Sequence, residues 1–262
     1  MNSDKLNHNI GVIIQARMTS TRLPGKVLLP VYQSESFRLT MLEAVINRIK
    51  NSKTINKIIV ATTVNKSDDP IVELCQSLEN IKIFRGDENN VLERYYLAAK
   101  ENNLSTIIRI TSDCPVIDPL IIDQLVNKYN NNNYDYVSNI LERTYPRGLD
   151  AEVFSFEALK KANDSASSEL EKEHTTIYIY SHPLEFNLGS YCQSEDRSEY
   201  RLTIDTEDDL RLIQNIYNEL YNTKPNFDQE DIIKLLENNP EWLKINDHIP
   251  MKLCSSTYFK KE

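Results

Sequence analysis

At 262 residues, with 40% hydrophobic and 26% charged residues and a formal net charge of −9, the chain has the make-up of an ordinary globular protein, as one large domain or two small ones. The acidic balance excludes a broad nucleic-acid or anionic-membrane surface, which needs a basic face. No apolar run approaches the roughly 18 residues of a membrane span, and the polar start MNSDKLNHN lacks a signal peptide's apolar stretch, so a cytoplasmic protein is expected.

Cys75, Cys114, Cys192 and Cys254 form no C-x-x-C pair and read as reduced thiols. The four histidines show no zinc spacing. Residues 1–9 read as a frayed tail. The apolar run from Ile10 predicts a strand over about 10–16.

The next stretch changes character at once. From Gln15 to Pro30 there is no acidic residue, while Arg17, Arg22 and Lys26 bring three positive charges and Pro24–Gly25 set a bend. Cations, hydroxyls and free backbone N–H groups after a buried strand are suited to an anion, above all phosphate. The two common phosphate fingerprints are absent: Ser20 and Val27 stand where a Walker loop needs Gly and Ser or Thr, and no G-x-G-x-x-G follows the strand.

Thr40 and Glu43 form a capping box for a helix with Met41, Leu42, Val45, Ile46 and Ile49 on one face. Strands are predicted at 55–63, 81–86 and 106–113, with helices near 70–79, 91–102 (capped by Asn90) and after Asp118–Pro119. This alternation predicts an α/β fold with a mostly parallel sheet and ligands at the strands' carboxyl ends. Past the asparagines 130–133 the rhythm loosens. Strands are expected within 134–139, 151–156, 184–191 and 200–205, as a mixed edge. Helices are expected near 155–162, 167–180, 207–221 and 228–237, with Leu210, Ile213, Tyr217 and Leu220 facing inward on the third. A ragged tail with Trp242 follows.

Two aspartates end apolar stretches without a local structural task. Asp113 closes TSDCP, where Asp118 already supplies the next helix cap, and Asp205 precedes a helix that Thr206 and Asp209 can cap. A carboxylate beside a triphosphate pocket suits Mg²⁺, which takes one or two carboxylates together with phosphates and water. Arg147, Gly148, Asp150 and Glu152 form either a plain turn with exposed charges or a site loop. Arg94 faces either solvent or phosphate, and His174 is either a packed histidine or a functional one.

The segment IIQARMTSTRLPGKVL resembles the N-terminal signature of the cytidylyltransferase family, which activates sugars as nucleotide derivatives. The CMP-ulosonic-acid synthetases are among its relatives, and the SpsF-type spore-coat polysaccharide branch is the nearest. SDCPVIDP resembles that family's metal-bearing strand end, and the likeness runs from about residue 10 to about 220. It implies a Rossmann-like nucleotide-diphospho-sugar transferase fold over 10–222, with 223–262 as a C-terminal helical extension. It also implies transfer of CMP from CTP to a small-molecule acceptor with release of pyrophosphate. Under it Arg17, Lys26 and Asp113 are catalytic. The nucleotide contacts are Gln15, Ala16, Arg17, Met18, Ser20, Arg22, Gly25 and Lys26, together with Thr62, Arg85 and Ser112. Asp113 and Asp205 hold Mg²⁺. Arg147, Gly148, Asp150, Glu152 and His174 line the acceptor pocket, and a homodimer pairs through 160–200. The segment GDENNVLERY departs from the pattern, with Asn90 where the family has aspartate. A glycosyltransferase should carry a D-x-D motif at a strand end, and a non-catalytic nucleotide sensor should have lost Lys26 or one of the two aspartates; neither holds here.

Overall fold

A computed structural model describes residues 9–250. Residues 1–8 of the expected frayed start and the end of the expected tail, with Cys254, lie outside the described residues, while Asn9 is tied to Asn102 O and Asn103 O. β1 (Ile10–Gln15) is the central strand, with Val12, Ile13 and Ile14 fully buried. It pairs in parallel with β4 (Lys57–Thr63) on one side and β6 (Thr106–Thr111) on the other. β5 (Ile81–Gly86) extends the parallel set beyond β4. β1, β4 and β6 are largely apolar on both faces because helices cover both, whereas the edge strand β5 is only partly buried. Val12 and Ile14 point into one core, and Ile13 points into the other.

The first core is packed by α1 (Met41–Ile49), α2 (Asp69–Ser77), α4 (Pro119–Asn130), α8 (Glu207–Leu220) and α9 (Gln229–Asn238). The second is packed by α3 (Val91–Glu101), α5 (Phe156–Ser165) and α7 (Ile177–Ser181). The expected capping of α1 by Thr40 and Glu43, α3 by Asn90 and α4 by Asp118 is present.

Beyond β6 the sheet turns mixed, as expected. β8 (Glu152–Ser155) runs antiparallel to β6 and to β7 (Tyr136–Ser138), and β9 (Leu188–Ser190) lies parallel to β7. The seven-stranded order is β5-β4-β1-β6-β8-β7-β9.

Three expectations are corrected, and one element is added. Residues 200–205 form no named strand and only one bridge, Arg147 to Arg201. The helix expected over 167–180 breaks into α6 (Glu169–Glu173) and α7, because Thr176 turns its hydroxyl onto the buried Glu152. α8 buries Leu212, Ile213, Ile216 and Tyr217, leaving Leu210 and Leu220 only partly covered. A hairpin of β2 (Pro30–Gln33) and β3 (Arg38–Thr40), which the sequence reading did not anticipate, lies against α8.

Candidate active site

The basic loop leaves β1 and folds back on itself. Met18's carbonyl accepts the N–H groups of Ser20 and Gly25, at 2.9 Å each. Gly25 sits at φ 70°, a left-handed turn natural to glycine, and starts the 3₁₀ turn Lys26–Leu28. That turn points Lys26 inward. Among the described residues the backbone N–H groups of Thr19, Thr21 and Arg22 donate to nothing. The loop is anchored by Asp68, 1% exposed, which accepts from Met18 N at 2.8 Å, from the Thr62 and Thr63 hydroxyls and from Thr63 N. Glu88 holds the loop's other flank through Thr19, Asn65 and, at 3.6 Å, Arg17.

A cavity of about 360 Å³ opens beside this loop, at the carboxyl ends of β1 and β6. Gln15, Ala16, Arg17, Ser20, Arg22 and Lys26 line it from the loop side. Ser112, Asp113 and Asp205 line it from across, with Arg94 of α3 and the exposed Glu173 and His174.

At one end the charges converge. Lys26, 9% exposed, donates to Ile204 O at 2.6 Å, Asp113 Oδ2 at 3.1 Å and Asp205 Oδ1 at 3.1 Å. Arg22 meets Asp205 Oδ1 at 2.8 Å, and Arg201 meets Asp205 Oδ2 at 3.0 Å. The segment before Asp205 is tied to Asp113 by Ile204 N and the Thr203 hydroxyl, both donating to Asp113 O. Two carboxylates distant in sequence thus share one ammonium. Burial alone would lower the Lys26 ammonium, but the two aspartates outweigh it and hold it above its ordinary value. Burial alone would raise the Asp113 carboxyl, but Lys26 and a Thr111 hydrogen bond hold it below.

This donor set fits Mg²⁺. Asp113 Oδ2 and Asp205 Oδ1 already converge on one cationic point, and both are hard oxygens at the rim of a cleft. Among the described residues there is no cluster of three or more potential protein ligands, so phosphate oxygens and water would complete the shell, as Mg²⁺ prefers.

Arg94 is 2% exposed; burial pulls its guanidinium below its ordinary value, and its Nε is buried without a partner among the described residues. Its Nη1 donates to Asp87 O at 2.5 Å and Glu88 O at 3.4 Å, which ties this wall of the cavity to the segment after β5.

Several expected contacts lie elsewhere. Thr62 is fully buried with its hydroxyl on Asp68, and Arg85 staples Thr63 O, Asn65 O and Asp69 outside the cavity. Met18 and Gly25 shape the loop without lining the cleft. Among the expected acceptor residues His174 reaches the cavity, whereas Arg147, Gly148, Asp150 and Glu152 do not. Asp150 pairs bidentately with Arg143, at 2.7 and 3.1 Å. Glu152 is 2% exposed and spends its oxygens on Arg109, Tyr136 and Thr176, which removes it as a hydroxyl or metal ligand. Gly148 faces the backbone of Leu202 and Thr203. Sequence reasoning missed Asp68, Arg109 and Arg201. Asp68 reaches Met18 and Arg109 reaches Glu152 across 50 and 43 residues, whereas Arg201 pairs with Asp205 and Asp209 only four and eight residues on.

The cytidylyltransferase family model matches residues 11–239. A protein of Methanocaldococcus jannaschii is 40% identical over 92% of this chain and 95% of its own length. The spore coat polysaccharide biosynthesis protein SpsF of Bacillus subtilis is 31% identical over 89% and 96%. A cytidylyltransferase structure from Leptospira borgpetersenii superposes with a TM-score of 0.84 at 32% identity, covering 94% of this chain and 99% of that one. A CMP:2-keto-3-deoxy-manno-octonic acid synthetase complexed with CTP shares the fold at a TM-score of 0.60 and 15% identity, over 80% and 99%. The chain belongs to the cytidylyltransferase family and is a CTP-dependent nucleotidyltransferase.

Proposed function

We propose that the cleft transfers CMP from CTP to a sugar, sugar acid or phosphorylated acceptor, releasing pyrophosphate with Mg²⁺ as cofactor, in cytoplasmic supply of surface polysaccharide. The sugar-acid class follows the synthetase sharing the fold, and the pathway follows SpsF. The observation that carries the reading is the Lys26 ammonium drawing Asp113 and Asp205 together beside a cationic loop.

The acceptor oxygen bonds to the α-phosphorus, and the bond to the β-phosphate oxygen breaks, its electron pair leaving with pyrophosphate. Arg17, Arg22 and the loop's free N–H groups stabilise the growing negative charge on phosphate oxygens. Lys26 fixes the two aspartates and adds its own charge. Mg²⁺, when bound at Asp113 and Asp205, supplies charge neutralisation and orientation of the triphosphate. A phosphate acceptor arrives ionised. A hydroxyl acceptor gives its proton to a carboxylate of the site. The active unit is a homodimer. Its 160–200 segment exposes Leu170 and Leu184, and sedimentation measures the association.

The test is pyrophosphate release from the four NTPs against sugar phosphates, ulosonic acids and other phosphorylated metabolites. CTP with one acceptor class should give turnover that EDTA abolishes. Lys26→Ala and Asp113→Asn should each lower kcat by about 10²–10³-fold with the fold intact by circular dichroism. Wild-type turnover in either variant overturns the mechanism.

A further inference from the structure

Gln15, the last residue of β1, lies on the same sheet face as Ile13, the face that α3 covers. Its amide oxygen accepts from Arg109 Nε at 3.3 Å and from Arg109 Nη2 at 3.2 Å. Arginine can only donate, so the amide oxygen must face it and the NH₂ must face away. That NH₂ has no partner among the described residues, and Gln15 lines the cleft. Arg109 cannot swing aside. Its other edge is held by Glu152, the pair being 15% and 3% exposed, and Glu152 is fixed in turn by the Tyr136 and Thr176 hydroxyls, at 2.6 Å each. Next to Gln15, Ala16 and Val91 line the cleft with apolar surface, the kind on which a flat ring lies while its edge is read.

Building on the proposed use of CTP, we propose that Gln15 reads the edge of the nucleotide base as a fixed hydrogen-bond donor, and that Arg109 is the positioning residue that holds it so. Cytosine presents adjacent acceptors at O2 and N3. Uracil presents an N3–H donor between two carbonyls. A free glutamine would turn its amide over and accept from uracil. The pinned amide offers only N–H, so the clamp selects cytosine by leaving uracil's N3–H unpaired.

The experiment measures equilibrium binding of CTP and UTP with Mg²⁺ by calorimetry on the full chain, with inorganic triphosphate probing the Lys26 end. Gln15→Glu still accepts from Arg109 but presents no donor. Gln15→Met removes the amide without adding charge. Both should lower the CTP:UTP affinity ratio about tenfold, the cost of one buried unpaired group, while triphosphate affinity for Gln15→Met stays within about twofold. Arg109→Lys keeps a cation on Glu152 but loses the two-point grip, and should lower the ratio without moving triphosphate affinity. Should Arg109→Lys fail to fold, the two Gln15 variants decide alone. A wild-type ratio in both Gln15 variants overturns the inference, as does a wild type that binds CTP and UTP alike. If that wild type still releases pyrophosphate from CTP, the proposed reaction stands and only this inference fails.

Discussion

Lys26 shows how one side chain can organise a site. Its three donors are all used, on two carboxylates and one carbonyl. The ammonium is held above its ordinary 10.5, so its contribution is full below that pH and fades as pH rises past it. The Asp113 carboxyl is held below its ordinary 3.8, so its contribution is present above that pH and is lost as pH falls further. The melting-temperature advantage of wild type over Lys26→Met should therefore be flat between about pH 5 and pH 9 and shrink on both sides. A pH scan of the two melting temperatures reads it; an advantage that changes steeply near pH 7 contradicts the assignment. Arg201 is the second organiser, pairing with Asp209, which is fully buried, and with Asp205. Arg201→Met leaves Asp209 charged and unpaired in the core, which should cost about 3–5 kcal/mol in urea unfolding. Asp209 is legible in the sequence as a helix cap, and the structure keeps that role. Arg201 is not legible, because its partners meet it only after the chain turns.

At the scale of elements, the segment 200–205 is where a sequence pattern and the structure part. YRLTID alternates like a strand. Its hydrogen bonds go instead to a loop, with Arg147 N donating to Tyr200 O and Leu202 N donating to Arg147 O. Gly148 makes that approach possible. Its φ is 108°, and a Cβ there would stand 2.4 Å from Leu202 C and 2.7 Å from Thr203 N. Gly148→Ala must push back the segment that delivers Ile204 and Asp205 to Lys26. The strained backbone alone should cost about 1–3 kcal/mol, read from the urea midpoint, and turnover should fall further than the residual stability explains. Normal turnover in a destabilised Gly148→Ala would separate this segment from the site. The broken helix at 174–176 has a similar origin: the helical pattern is real, but the buried Glu152 needs the Thr176 hydroxyl.

At the scale of the whole molecule, the residues after 222 read in sequence as an extension. In the structure Phe227, Ile232, Ile233 and Leu236 are buried, and Arg48 donates to Phe227 O at 2.7 Å. Asn246 reaches Arg201 O and Asp209, beneath the carboxylate end of the cleft. Four such side chains at roughly 1.5–3 kcal/mol each rival the entire stability of a domain. A chain ending at Leu220 should therefore lose its cooperative melt as well as CTP binding, measured by calorimetry. Retention of both would make the extension dispensable.

The alternation of apolar runs and capped helices in the first half determined the parallel sheet, because buried strands and helix ends carry local signatures in composition and spacing. The basic loop's cations and its glycine at a bend are likewise visible without folding, and they carry the expectation of an anion site. The tertiary structure alone decided which of the many carboxylates meet that loop, and that Glu152 and Asp150 are already bound to arginines. It also decided that the Gln15 amide oxygen accepts from Arg109 at the wall of the cleft. Charges pair through space, and the partner of a buried charge has no fixed distance along the chain.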